Sequence, residues 1–222
     1  MIGSKRIKAI VGHYGSGKTE IAMNLAIELA KTQKVTLVDL DIVNPYFRSA
    51  EHAEKLKECG VKLVKPEFAA TGVDVPSLSA HIDAAILDES STVILDVGGD
   101  DEGARALGRF KPYFDRFGLD LFAVVNPYRP RSENEERIIE MMEAIQIRAR
   151  FPVTGFINNA NVAHLTETEN LLYGREMLRK VSEQTGIPVV MECGLKEVKP
   201  AEMPEGIAFL ELIRYTKPEW MD

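Results

Sequence analysis

Short runs of apolar and β-branched residues alternate along the chain with longer segments whose apolar residues recur at helical spacing. The short runs predict strands at Ile7–Val11, Val35–Asp39, Val61–Lys65, Thr92–Val97, Leu119–Asn126, Val153–Asn158 and Ile187–Glu192. The longer segments predict helices near Lys18–Thr32, Phe47–Glu58, Ser77–Glu89, Gly103–Phe110, Ser132–Arg148 and Glu167–Thr185, with a last helix near Glu205–Tyr215. Such alternation predicts an α/β fold, a three-layer αβα sandwich around a mostly parallel sheet of roughly seven strands. We expect residues 1–222 to form a single domain.

Composition narrows the class of protein. The 222 residues are 45% hydrophobic, which is enough for one domain with a substantial core. The net charge is −7 without a block of Lys or Arg, which disfavours binding to nucleic acid or to an anionic membrane. No apolar run reaches the roughly 18 residues of a membrane span, and the first residues lack a signal peptide, so we expect a cytoplasmic protein. Cys59 and Cys193 are isolated, which favours reduced thiols.

A phosphate-binding loop follows the first predicted strand. Residues 12–19 match G-x-x-x-x-G-K-[ST] between a strand and a helix, the context that this motif needs. Glycines let backbone N–H groups turn inward around a phosphate, and the positive helix end adds partial charge. Lys18 is expected to reach the β- and γ-phosphates, and the Thr19 hydroxyl to ligate Mg²⁺. We expect nucleotide contacts from Gly12, His13, Tyr14, Gly15, Ser16, Gly17, Lys18, Thr19 and Glu20.

Two carboxylates end the second predicted strand. Asp39 and Asp41 are two residues apart, and alternate side chains of an extended chain point the same way. Both can therefore face the γ-phosphate and its metal ion. The alternative is that Asp41 only caps the turn before Pro45.

The fourth predicted strand ends in a pattern typical of nucleotide hydrolases. Strand-forming residues lead into Asp96, the Walker B arrangement, whose carboxylate binds Mg²⁺ directly or through water. Residues 96–99 also read D-x-x-G, in which the N–H of Gly99 can sense the γ-phosphate. The acidic residues 100–102 are expected to form a solvated or helix-capping turn rather than to bind metal.

The chain carries the loop at 12–19, Asp-Leu-Asp at 39–41, Asp-Val-Gly-Gly at 96–99 and Val-Asn-Pro at 125–127. Together these four motifs resemble the MinD/ParA/ArsA-type P-loop ATPases of the SIMIBI class. The resemblance extends over nearly the whole chain and is specific for the superfamily rather than for one family. It implies a P-loop NTPase with Asp39 among the metal-side carboxylates and Asp41 positioning the attacking water. By the same resemblance, Asp96 is the Walker B residue and Gly99 belongs to switch II.

Base recognition is inferred from the same resemblance. Relatives place an adenine-reading asparagine at the end of a strand, where this chain has Asn158, with Asn159 as the second choice. An amide can both accept from and donate to adenine. No N-K-x-D guanine signature follows that strand, so ATP is favoured over GTP. The loop 192–195 is expected to close over the purine, and the alternative is that the two asparagines only form a turn.

His13 departs from the pattern of many ParA/MinD-type proteins. They carry a second lysine at that position, which crosses a dimer interface to the partner's phosphate. A neutral imidazole donates one hydrogen bond but lacks the fixed charge of lysine. His13 either substitutes for part of that role or is a spacer in the loop. The departure weighs against a dimer with catalysis in trans and leaves phosphate binding untouched.

Other charged residues are weaker candidates. Arg129 and Arg131 flank Pro130 near the predicted site, where they either bind an anionic substrate or partner, or are solvated. A transition-metal site is not expected, since no metal-binding spacing connects the dispersed histidines His52, His81 and His164.

Two functions fit these residues, and both use Mg²⁺ with ATP or ADP. The leading hypothesis is a slow ATPase that acts as a nucleotide-dependent switch or assembly and maturation factor, with an unidentified protein partner and a possible nucleotide-dependent homodimer. Residues 44–48, Asn-Pro-Tyr-Phe-Arg, form a contact surface in that hypothesis, unless Tyr46 and Phe47 pack into the core. The alternative is a small-molecule kinase or ATP-dependent ligase similar to dethiobiotin synthetase, in which Arg129 or Arg131 holds an anionic substrate. Partitioning of DNA or of a membrane is disfavoured by the acidity.

Overall fold

The computed structural model describes residues 2–40, 52–65, 76–99 and 101–215. Within them the strands are β1 (Ile7–Gly12), β2 (Val35–Leu40), β3 (Val61–Val64), β4 (Thr92–Val97), β5 (Asp120–Val125), β6 (Gly155–Asn158), β7 (Val189–Gly194) and β8 (Ala208–Glu211). The helices are α1 (Lys18–Ala30), α2 (Ala53–Glu58), α3 (Pro76–Leu87), α4 (Asp101–Gly108), α5 (Lys111–Phe117), α6 (Glu135–Ala149) and α7 (Thr168–Thr185). Short 3₁₀ turns occupy Ala163–Leu165 and Lys196–Val198.

The eight described strands form one sheet in the order β3-β2-β4-β1-β5-β6-β7-β8, and every neighbouring pair is parallel. Side chains of a strand alternate between the two faces: Ile7, Ala9 and Val11 enter one core and Ile10 enters the other. The first core lies under α3 to α7, and the second lies under α1 and α2. The predicted three-layer αβα sandwich is thereby confirmed.

The predicted last helix near Glu205–Tyr215 is wrong. Residues 208–211 form β8, the eighth strand, which pairs in parallel with β7 so that Cys193 lies opposite Leu210. The apolar residues of this segment suit either a helix or a strand because the run is short. Pairing with the edge of β7 favours the strand over the helix, because it satisfies the backbone hydrogen-bonding groups of both strands.

Two helical predictions differ from the structure in extent. The structure adds α5, whose Phe114 is buried in the first core, between two elements that the sequence pattern had separated only by a loop. The helix predicted over 47–58 is present as α2 from Ala53, and its first residues lie outside the described ranges. Asp41 and the segment 44–48 also lie outside those ranges. None of the described helices combines the length and apolarity that a membrane span requires.

The two cysteines are free thiols and are expected to differ in reactivity. Burial of Cys193 in β7 raises the pKa of its thiol well above the ordinary value, so the reactive thiolate is scarce. Cys59, just after α2, is partly exposed. We expect a thiol reagent such as DTNB to label Cys59 rapidly in the native protein and Cys193 only after addition of urea. Rapid native labelling of a Cys59→Ser variant would contradict this.

Candidate nucleotide-binding site

The phosphate-binding loop leaves the carboxyl end of β1, in the middle of the sheet between β4 and β5. Gly12 is paired in register with Val124, and a Cβ at Gly12 would lie 2.5 Å from the Val124 carbonyl oxygen. Gly12 also has a φ of +144°, a conformation that favours glycine. The first glycine of the motif is therefore required by close contact with the neighbouring strand.

Hydrogen bonds hold the carbonyl groups of the loop. The His13 carbonyl accepts from the Ser16 N–H at 3.1 Å and from Lys18 Nζ at 3.0 Å. The Gly15 carbonyl accepts from Arg129 Nε at 3.2 Å, and the Ser16 carbonyl accepts from Asn159 Nδ2 at 2.7 Å. With its acceptors engaged in this way, the loop suits an anion that is bound by backbone N–H groups.

A buried hydroxyl supports the same ligand. The Ser16 side chain is 1% exposed, and its Oγ has no hydrogen-bond partner among the described residues. An unpartnered buried polar atom is costly unless a ligand or water satisfies it. Gly17, with a φ of +92°, packs so closely on Asn159 that a Cβ would lie 2.3 Å from Nδ2. The loop is thus tightly packed and contains a buried hydroxyl, Ser16 Oγ, for which a phosphate oxygen is a suitable partner.

Two carboxylates meet beside this loop. Asp39 and Asp96 lie opposite each other in the register of β2 and β4, at the carboxyl ends of both strands. Asp96 is buried and Asp39 is partly exposed. Mg²⁺ is usually held by one or two carboxylates together with substrate phosphates, so these residues and Thr19, in the first turn of α1, fit that ion. Asp41 lies outside the described residues.

Gly99 follows β4 and packs against the phosphate-binding loop. A Cβ at Gly99 would lie 2.7 Å from Lys18 Nζ and 2.8 Å from the Tyr14 N, so no other residue fits without displacement. The predicted switch glycine therefore lies directly against the lysine that the motif assigns to the phosphates.

Two cavities flank the loop. The first, of about 340 Å³, lies between the loop, Gly98, Gly99 and α6, and Arg131, Met141 and Ile145 contribute to its lining. The second, of about 270 Å³, lies on the other side, between Gly17, Arg129, Asn161 and Leu195. The first cavity adjoins the side of the loop on which Gly99 lies. The second adjoins the loop 192–195 that was expected to cover the purine.

The two candidate base-reading asparagines have different surroundings. Asn158 is fully buried, its Nδ2 donates to the Leu171 carbonyl at 2.9 Å, and its Oδ1 accepts from the Ala160 N–H at 3.2 Å. Asn159 lines the second cavity while its Nδ2 contacts the Ser16 carbonyl. The preference for Asn158 over Asn159 finds no support in this geometry, because the Asn158 amide is occupied by the main chain. A base contact by either residue stays a prediction.

The C-terminal segment contributes to the second cavity, which the sequence did not indicate. Leu212 and Arg214 line it, and Arg214 Nη2 donates to the Ala163 carbonyl at 2.8 Å. Asn24 of α1 anchors this segment: its Nδ2 donates to the Ile213 carbonyl at 3.0 Å and its Oδ1 accepts from the Ile213 N–H at 2.8 Å. The sequence pattern predicts a helix over this C-terminal segment, and that prediction gave no reason to place the segment beside the phosphate-binding loop.

The histidines outside the loop do not come together. His52 precedes α2, His81 lies in α3 and His164 lies in a 3₁₀ turn. Within the described ranges, no group of three His, Cys, Asp or Glu side chains is arranged to hold a metal ion.

The sheet order, the glycine cradle at the end of β1 and the paired carboxylates define a P-loop NTPase of the SIMIBI class. The sequence matches CbiA, the CobQ/CobB/MinD/ParA nucleotide binding domain, over residues 9–188, and the chain belongs to that family. No curated protein matches the sequence at a significant level.

Solved structures with a similar fold include FtsY proteins from several organisms. Cell division protein FtsY from Thermotoga maritima has a TM-score of 0.58 and 18% identity, covering 88% of this chain and 64% of that one. Chloroplast FtsY from Physcomitrella patens has a TM-score of 0.60 and 18% identity over 86% of this chain and 60% of that one. The signal recognition particle receptor FtsY from Elizabethkingia anophelis, solved in complex with GDP, has a TM-score of 0.56 and 20% identity over 97% and 63%. This chain thus spans less than two thirds of each, and the likeness concerns the fold.

Proposed function

We propose that this protein is a cytosolic Mg²⁺-dependent ATPase with slow turnover that acts as a nucleotide-dependent switch or as an assembly and maturation factor. The observation that carries the proposal is the contact of Gly99 with Lys18 and Tyr14. A terminal phosphate bound beside Lys18 would lie next to Gly99, so we expect its loss to affect the segment that follows β4. Loss of a phosphate that holds such a segment is a common way in which nucleotide hydrolysis alters a protein surface.

In the proposed hydrolysis of ATP, phosphate binding, orientation of water and binding of Mg²⁺ are assigned to different residues. Lys18 and the loop N–H groups hold the phosphates and stabilise the charge that develops on the transferred phosphoryl group. Asp41 orients a water molecule whose oxygen bonds to the γ-phosphorus as the bond to the β–γ bridging oxygen breaks, yielding ADP, inorganic phosphate and a proton. Thr19 and Asp39 or Asp96 would hold Mg²⁺, which would supply positive charge that offsets the charge of the phosphates.

ATP is the proposed nucleotide because the strand-end sequence Asn-Asn-Ala-Asn at 158–161 lacks the N-K-x-D guanine signature. Asn159 and Asn161 line the cavity proposed for the base. Each Nδ2 group donates one hydrogen bond to a main-chain carbonyl, and an amide has a second N–H and an oxygen that match the acceptor and donor of the adenine edge. Competition of ATP and GTP for one fluorescent nucleotide tests this choice directly, and equal or tighter binding of GTP would overturn it.

The hydrolysis proposal is tested with an Asp41→Ala variant. We expect the wild-type protein to release phosphate from ATP slowly and only with Mg²⁺. The variant is expected to bind ATP as tightly but to hydrolyse it at least about tenfold more slowly, because general-base or water-orienting groups contribute about 10²–10⁴-fold. Phosphate release and equilibrium binding measure the two effects separately. Normal turnover of the variant would remove the role of Asp41, and failure of the wild type to bind ATP would overturn the proposal.

A small-molecule kinase or ATP-dependent ligase is the second candidate. The first cavity favours it, because about 340 Å³ beside Gly99 is enough for a small anionic acceptor, with Arg131 in its wall. Light scattering with Mg·ADP and with a non-hydrolysable ATP analogue separates the candidates. A dimer that forms only with the analogue supports the switch, and an unchanged mass directs the search to an acceptor for this cavity.

A further inference from the structure

A buried amide side chain holds the C-terminal segment, residues 212–215, as a neighbouring strand would. Asn24, 6% exposed in α1, donates through Nδ2 to the Ile213 carbonyl at 3.0 Å, and its Oδ1 accepts from the Ile213 N–H at 2.8 Å. Because an amide carries both a donor and an acceptor, it can take the place of a peptide group beside an extended chain. Asn24 thus fixes the segment to the helix that follows the phosphate-binding loop.

Further contacts attach the same segment at both of its ends. The Leu212 N–H donates to the carbonyl of Gly194, the last residue of β7, at 2.8 Å. The Tyr215 N–H donates to Oε1 of Glu20, in the first turn of α1, at 2.5 Å. The Tyr215 ring also meets the ring of His52 edge-on, with 5.9 Å between the ring centroids. The segment therefore bridges the end of β7 and the first turns of α1.

The side chains between these attachments form part of the wall of the second cavity. Leu212 and Arg214 both line it, because alternate side chains of an extended chain point the same way. Arg214 also reaches the 3₁₀ turn, where its Nη2 donates to the Ala163 carbonyl at 2.8 Å. Gly17 of the phosphate-binding loop lines the same cavity. A molecule that is bound by the loop and extends into this cavity would therefore lie beside the C-terminal segment.

We propose that the C-terminal segment is a lid over the base side of the nucleotide site, and that Asn24 is the positioning residue that holds it closed. The inference rests on the proposed function, since it needs a nucleotide whose base occupies the second cavity. With the lid attached to α1, Leu212 and Arg214 lie against the bound base and slow its departure. Detachment from α1 removes that wall, so attachment of the lid sets the rate of nucleotide exchange.

The test compares ADP with pyrophosphate, which has two linked phosphates but no base, by titration calorimetry with Mg²⁺. We expect Asn24→Ala to weaken ADP binding about 5- to 30-fold, because two hydrogen bonds to the lid are lost, and to leave pyrophosphate binding within about twofold. Most of the loss is expected in the dissociation rate, measured by chasing ribose-labelled fluorescent ADP with unlabelled ADP. Equal weakening of ADP and pyrophosphate would mean that Asn24 supports only the loop and its helix, and would overturn the proposal.

Arg214→Ala tests the wall itself. Arg214 is exposed, so its replacement is expected to leave folding intact, which a thermal melt checks for both variants. We expect faster dissociation of ADP and unchanged binding of pyrophosphate, because the variant removes part of the wall and its hydrogen bond to the 3₁₀ turn. Dissociation of ADP at the wild-type rate from both Asn24→Ala and Arg214→Ala would overturn the lid.

Glu28→Ala is the matched control in α1. Glu28 lies one turn after Asn24, its side chain is 56% exposed and it pairs with Lys31. We expect the dissociation rate of ADP to stay within about twofold of the wild-type rate, since exposed pairs of this kind contribute little. Wild-type protein that binds neither ADP nor ATP would overturn the proposed function and the lid with it. Nucleotide binding that neither lid variant alters overturns the lid alone, so the two failures are distinguishable.

Discussion

Replacing Lys18 by alanine is expected to weaken ATP binding about 30-fold or more. Loss of a hydrogen-bonded partner of a buried charge costs about 2–5 kcal/mol, and each 1.4 kcal/mol is about tenfold in affinity. Lys18 is 8% exposed and lies at the junction of the loop and Gly99, so water cannot readily replace its ammonium group. Equilibrium binding of a fluorescent ATP analogue measures the loss, and a thermal melt shows that the variant is folded.

Lys31→Ala provides the matched control at the other end of the same helix. Lys31 follows α1, is 62% exposed and pairs with the exposed Glu28. Exposed pairs of this kind contribute little to stability because water screens them, so both the free energy of unfolding and the ATP affinity are expected to stay near the wild-type values. ATP binding by Lys18→Ala that equals binding by Lys31→Ala would mean that this loop does not hold the phosphates.

Replacing Arg175 by methionine is expected to lower the free energy of unfolding by about 3–5 kcal/mol. Glu192, fully buried within β7, accepts two hydrogen bonds from Arg175 of α7, each of 2.8 Å. Removal of the guanidinium leaves a buried carboxylate without its counter-charge, which is far more costly than loss of packing alone. Urea unfolding followed by circular dichroism measures the change.

Two further variants isolate the cause. Glu192→Gln added to Arg175→Met removes the buried charge and is expected to recover part of the lost stability. Arg179→Met, one turn along α7, removes an exposed arginine that pairs with Glu176 and Glu183, and it is expected to leave the free energy of unfolding close to the wild-type value. Equal destabilisation by Arg175→Met and Arg179→Met would show that burial of the pair does not contribute.

The prediction of the fold succeeded where a local pattern has one interpretation. Strands such as Thr92–Val97 are apolar, β-branched runs that suit the buried middle of a parallel sheet, and the structure has the same bounds. The segment 208–211 has no such single interpretation, because a short apolar run suits either a strand or a helix. Its pairing with β7 made it a strand, and that edge lies outside any sequence window.

The candidate site also combines features that the sequence predicts with features that depend on the tertiary structure. The loop 12–19 could be located from its letters, because its glycines meet backbone constraints that only glycine satisfies, at a φ of +92° for Gly17. Asp39 and Asp96 were identifiable as strand-end carboxylates, and the sheet register then placed them opposite each other. The sequence could not show whether Asn158 or Asn159 is the better candidate for contacting the base. Adjacent residues of the same type differ only in the direction that the tertiary structure gives to their side chains.

The layered α/β fold, the phosphate-binding loop and the residue types at the strand ends could all be predicted from the sequence, since periodicity and glycine stereochemistry act over a few residues. Which distant side chains contact each other depends on the packing of the folded chain. His13 and Arg131 are 118 positions apart, and Ser16 and Asn159 are 143 apart. Contacts at such separations depend on how the sheet orders its strands, because packing brings their carboxyl ends together whatever their distance along the chain.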